Sequence, residues 1–136
     1  CLLVQPTSDI VATDFDGDGK LAILTFSKFH GDTLAIWHEG QTRDRYEQVW
    51  CDPQKRSFLH ALWAADLNGE KCAVIGNRKD GRDLLLVRYV DGEYTVDVID
   101  HDLGPANCMV YRHDGSDYIV AAYRETDHLA LYKVVE

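Results

Sequence analysis

The stretch ATDFDGDGKLAILTFSK, residues 12–28, joins an acidic, glycine-bearing loop to an apolar run. It recurs as AADLNGEKCAVIGNRK at residues 64–79 and as VYRHDGSDYIVAAYRE at residues 110–125. Setting Asp14 on Asp66 and Gly17 on Gly69, with one residue inserted in the first copy, brings Ala22-Ile23-Leu24 onto Ala73-Val74-Ile75. Setting Gly115 on Gly69 puts Val120 on Val74 and Arg124 on Arg78. The downstream pieces agree: Asp32–Trp37, Asp83–Arg88 and His128–Lys133 follow the three copies in turn. Three divergent copies of one unit therefore span the chain, and self-similarity at this period marks a repeat architecture.

Each unit consists of short runs rich in Val, Ile, Leu, Tyr and Trp, separated by Asp, Gly and Asn turns. That is strand chemistry, and no stretch holds a capped helical period long enough to compete. Strands are expected at 8–13, 21–26, 33–38 and 45–50, then at 59–65, 71–76, 84–90 and 94–100, with Asp91-Gly92-Glu93 as a tight turn. The third copy supplies 106–112, 117–122 and 129–134. Four antiparallel strands in such a unit match one blade of a β-propeller, so the expected fold is all-β with three four-stranded blades. The blades run over roughly 7–52, 58–101 and 105–136. The third lacks its fourth strand, while Leu2-Leu3-Val4-Gln5 forms a strand ahead of the first and would complete a blade. Three blades are too few to close a ring, since about 4 to 8 are usual. The remaining blades of a longer chain, or a second copy in a six-bladed homodimeric ring, are the two ways to cover the open faces. The longer chain is the preferred expectation of the two, and Cys1 in place of an initiator Met points to it, as to a fragment or a processed form.

Composition narrows the function classes. The 136 residues carry 14 basic and 23 acidic side chains, a formal charge of −9, which repels a phosphate backbone and argues against nucleic acid as a partner. No apolar run reaches the roughly 20 residues of a membrane-spanning helix. Cys1, Cys51, Cys72 and Cys108 show no metal-ligand spacing; Cys72 and Cys108 sit in apolar runs and read as small core side chains, with disulfides open in an oxidising compartment.

Asp14-Phe15-Asp16-Gly17-Asp18-Gly19-Lys20 carries the sharpest chemistry. Carboxylates at positions 1, 3 and 5 of a tight loop point inward, and a backbone carbonyl at position 7, that of Lys20, adds a further oxygen; this is how a Ca²⁺ cage is built. An EF-hand would need Glu at position 12, where Thr25 stands, and a strand follows in place of a helix. The loop resembles the DxDxDG hairpin loops of the FG-GAP/VCBS repeat family of β-propellers. The resemblance extends over nearly the whole chain through the repeats, although only the first copy has the full motif. It implies a structural Ca²⁺ and an extracellular or cell-surface setting. The family's acidic ligand at position 9 is replaced here by Ala22. Asp66, Asn68 and Glu70 form a weaker second loop, and Arg112, Asp114 and Ser116 a third that should bind nothing.

His30, His38, His60, His101, His113 and His128 make no metalloprotease spacing. If 8–13, 59–65 and 106–112 are innermost strands, Asp9, His60 and Asn107 lie near one rim, with Arg78 and Arg124 after the second strands and Asn77 and Tyr123 before them. Such a set would suit an anionic sugar or another carboxylate. The structural alternative pairs Arg78 with Asp80 or Asp83 and Arg124 with Glu125 or Asp127. Trp37, Trp50 and Trp63 divide between filling the space among blades and stacking on a sugar. The leading expectation is a non-enzymatic binding or scaffold module with a protein or carbohydrate ligand on its loop face. The alternative is part of a lyase-like propeller enzyme, with His60 and Tyr123 catalytic beside Arg78 and Arg124 at the channel mouth.

Overall fold

Alternation of side chains writes the sheets. In the strand Ser116–Tyr123, residues Asp117, Ile119, Ala121 and Tyr123 are buried while Tyr118, Val120 and Ala122 turn the other way, the period-two signature of a strand with two unlike faces. The computed structural model describes residues 6–28 and 31–136; the strand expected at 2–5 and His30 lie outside them. Among the described residues there is no helix. The first sheet comprises β1 (Asp9–Thr13), β2 (Ala22–Ser27), β3 (Thr33–Glu39) and β4 (Tyr46–Cys51). The second holds β5 (Leu59–Leu67), β6 (Glu70–Asn77), β7 (Leu84–Val90) and β8 (Glu93–Asp100). The third holds β9 (Pro105–His113), β10 (Ser116–Tyr123) and β11 (His128–Lys133). Each sheet is an antiparallel meander in chain order, four, four and three strands wide.

The sheets stand in series, with β1 beside β5 and β5 beside β9, and they do not close into a ring. One core lies between the first two sheets, built on Leu24, Phe26, Leu34, Ile36, Ile75 and Val87. The other lies between the second and third, built on Cys72, Val74, Leu84, Ile119, Ala121 and Tyr123. β6 serves both: Ala73 and Ile75 enter one core while Cys72 and Val74 enter the other. Gly76 belongs to the second contact. A Cβ there would lie 2.3 Å from Pro105 Cγ and 2.7 Å from its Cβ, so only glycine lets the third sheet approach this closely.

The hairpins explain the strand ends. Asn68-Gly69, Asp91-Gly92 and Asp114-Gly115 are two-residue turns with positive φ at both positions, the geometry that matches strand twist. The first hairpin departs from them and corrects the repeat alignment. Thr13 pairs with Ala22 and the equivalent Ala65 with Cys72, spans of nine and seven residues, so the first loop carries two extra residues instead of one. Ala22 thus corresponds to Cys72, not Ala73, and with this register equivalent residues of all three sheets face the same way.

Candidate functional site

The two extra residues of the first hairpin make room for the acidic loop. Its φ values of 72° at Gly17 and 84° at Gly19 are in the left-handed region, and neither position has an atom near where a Cβ would stand. Phe15, buried in the first core and edge-on to Tyr94 at 5.8 Å, anchors the loop from within. The loop then folds on its own carboxylates. Gly19 N donates to Asp14 Oδ2 at 2.9 Å, Asp18 N to Asp16 Oδ1 at 3.2 Å, and Lys20 N to Asp18 Oδ1 at 2.7 Å. One carboxylate oxygen from each of Asp14, Asp16 and Asp18 lies within 4.8 Å of the others, a cluster that could hold a metal ion.

The donor set fits a hard cation. Asp14 Oδ1 is buried without a hydrogen-bond partner, and a buried carboxylate oxygen in that state is costly unless something positive meets it. Tyr94, on the fourth strand of the second sheet, feels the same field. Burial first, and then the negative charges of Asp16, Asp18 and Asp14, push its phenol pKa well above the ordinary value. Its hydroxyl lies 2.6 Å from His38 Nε2. A small cleft beside the loop is lined by Asp18, Lys20, Leu21, Ala22, His38 and Glu39. Tyr94, His38 and Glu39 were not legible as neighbours of this loop, because their approach depends on how strands and sheets pack.

The other two loops are arranged differently. Asp66 accepts from Lys71 Nζ at 2.7 Å, a bond that holds its carboxyl below the usual carboxylate range, and Glu70 faces Arg88 at 3.6 Å. Asn68 occupies the tight turn and donates its backbone N–H to Asp117 at 2.8 Å. In the third hairpin Arg112 binds Asp117 at 3.1 Å and the Gly115 carbonyl at 3.1 Å. Asp117 is buried and ties the second hairpin to the third.

The rim residues divide. His60 lies flat against Phe58, with its Nδ1 2.7 Å from the Ala106 carbonyl oxygen, and the Arg78 guanidinium covers the Phe58 ring from 4.9 Å. Arg78 pairs with Glu125 of the third sheet at 2.9 Å, not with Asp80 or Asp83. Asp83 faces Arg56, and Asp80 accepts from Ser57. Asn77 is buried and shapes its own loop through Lys79 O and Asp83 N. Tyr123 is inside the second core, where its hydroxyl meets Tyr132 at 2.5 Å and Tyr132 donates to Asp100 at 2.7 Å. Arg124 is exposed beside a groove lined by Ala106, Asp127, His128 and Leu129. Asp9 and Asn107 are exposed on the first strands of their sheets, and each accepts the N–H of its following residue.

Trp37 bonds Thr25 at 3.0 Å and Trp50 packs on the first core. Trp63 is 40% exposed and lines a groove of about 570 Å³ with Asp66, Tyr111 and Arg112. Cys51, Cys72 and Cys108 are free thiols. A scan of protein-family models gives no match to this chain, and a search of curated proteins gives none either.

Proposed function

We propose that the three sheets are blades of a β-propeller of the FG-GAP/VCBS kind, serving as a non-enzymatic binding or scaffold module whose first hairpin takes a structural Ca²⁺. One observation carries the cation: Asp14, Asp16 and Asp18 converge in a glycine-shaped loop around a buried oxygen of Asp14 that has no partner. With Ala22 where a further acidic ligand would stand, backbone carbonyls and water complete the shell, and affinity is modest. The ion's role is to pin the hairpin. The equal facing of the repeats and their meander order support the blade reading.

The ligand face is the groove between the second and third sheets. Trp63 and Tyr111 offer aromatic faces there, Asp66 and Arg112 offer an acceptor and donors, and that combination suits a carbohydrate or a polar protein loop. Calorimetric titration with Ca²⁺ tests the metal. Saturable binding by the chain and none by Asp16→Asn, with matching circular dichroism, is the expected result; equal heats from both would remove the site.

A further inference from the structure

A second groove, of about 420 Å³, opens between the first sheet and the β7–β8 hairpin of the second. It shares no residue with the Asp14 loop or with the groove at Trp63. Its walls are aromatic: Trp50 from β4, Tyr89 from β7, Tyr94 from β8 and the His38 ring from β3, each half-buried. Tyr94 is common to the contacts, its ring centroid 4.9 Å from that of Tyr89, 5.9 Å from Trp50 and 6.1 Å from His38. Its hydroxyl lies 2.6 Å from His38 Nε2, which fixes the ring in place. Beside Trp50 the β3–β4 register slips between Ile36 and Trp37, leaving Val49 unpaired in the groove wall. A bulge of this kind re-aims the side chains next to it.

The charge around these rings is one-sided. Glu93 is exposed at the mouth, and no Lys or Arg is among the lining residues. Arg88, next to Tyr89 on β7, turns to the other face of the strand, where it meets Asp97 and Glu70. The acidic loop adds to the field: after burial, the charges of Asp16, Asp18 and Asp14 help hold the proton on Tyr94. An anion would meet no opposite charge here, and a neutral sugar would gain nothing from the field. A cation with an apolar skin gains twice, from the negative faces of the rings and from the carboxylates. A bare ammonium is strongly hydrated, whereas methyl groups around the nitrogen give a surface that packs on aromatic walls.

We propose that this groove binds the quaternary ammonium group of a small soluble cation, choline in kind, through the Trp50, Tyr89 and Tyr94 rings and the Glu93 carboxylate. The ligand carries no phosphate or carboxylate beside its nitrogen, since the lining has no basic side chain to meet one.

Proton–nitrogen NMR of the full chain, in chelator and at fixed ionic strength, tests this with choline chloride as the probe. Saturable shifts are expected at the Trp50 indole N–H and the Gly92 and Glu93 amides, with the Trp37 and Trp63 indoles unmoved. The neutral isostere 3,3-dimethylbutan-1-ol should bind about tenfold more weakly, because it fills the same space without the charge. Trp50→Leu, which keeps apolar bulk and removes the ring, should lose the shifts. Glu93→Gln, an exposed position whose change leaves the fold intact, should weaken choline and leave the alcohol as it was. No saturation by choline, equal affinity for the alcohol, or shifts alike at all three indoles would overturn the proposal. Glucose saturating the same signals in place of choline would also overturn it and assign the groove to a sugar. Co-sedimentation with phosphatidylcholine vesicles should be absent; co-sedimentation that Trp50→Leu abolishes would overturn the soluble cation in favour of a membrane surface. Because the titration runs in chelator and reads residues outside the Asp14 loop, its failure leaves the Ca²⁺ reading standing.

Discussion

Burying a guanidinium costs several kcal/mol unless a carboxylate meets it, and Arg56 meets two. Its Nε donates to Asp52 at 2.9 Å and its Nη1 faces Asp83 at 3.8 Å, with the Arg56 and Asp52 side chains 8% and 3% exposed. Asp52 and Arg56 lie within the connection from the first sheet to the second, and the Arg56–Asp83 contact ties that connection to the β6–β7 loop. Arg56→Ala would strand the Asp52 carboxylate, and urea unfolding should show a loss of about 3–5 kcal/mol. The core thiols give a pH prediction. Burial pushes Cys72 and Cys108 up to about 12, so the folded chain holds both protons where the unfolded chain, near 9, has released them. Their contribution to stability is complete below pH 9 and lost as pH rises toward 12, which melting curves over that range check; Cys72→Ala/Cys108→Ala should flatten the decline. At this scale the Asp14 loop was legible because its three carboxylates are local in sequence. The Arg78–Glu125 pair was not, because 47 residues separate its members and only the packing of sheets joins them. Tyr123 looked available for chemistry and is instead a core phenol, since alternation along β10 turns it inward.

Elements were the most legible level. All eleven strands of the described residues fall where the apolar runs and turn residues place them, because turn chemistry is local and strand alternation is its own signal. β5 runs two residues past its expected end, through Leu67, because a two-residue turn lets pairing continue to Leu67 and Glu70. The loop length in the first repeat was misjudged by one residue: sequence similarity aligned apolar letters, whereas cross-strand register decides which face each one takes. Likewise β6 reads as an unbroken apolar run, which has no period to reveal that it supplies two cores. Gly76 offers a test at this scale. Gly76→Ala should force β6 and Pro105 apart and cost about 1–3 kcal/mol in chemical unfolding, as overpacking does. A neutral effect would mean the second and third sheets adjust freely.

Over the whole molecule, two cores in series hold three sheets, so each terminal sheet takes part in one core and the middle one in both. Local unfolding should therefore begin at the ends, and the first hairpin is where a bound cation can alter it. The cation proposed for the Asp14–Lys20 loop would rigidify this hairpin and leave the equivalent ones alone. Amide hydrogen exchange with Ca²⁺ and then with chelator reads this out hairpin by hairpin. The expected result is added protection with Ca²⁺ at Asp18, Gly19 and Lys20 and along β1–β2, with β5–β6 and β9–β10 unchanged. Protection identical in both conditions, or a change spread evenly over all three hairpins, would contradict it.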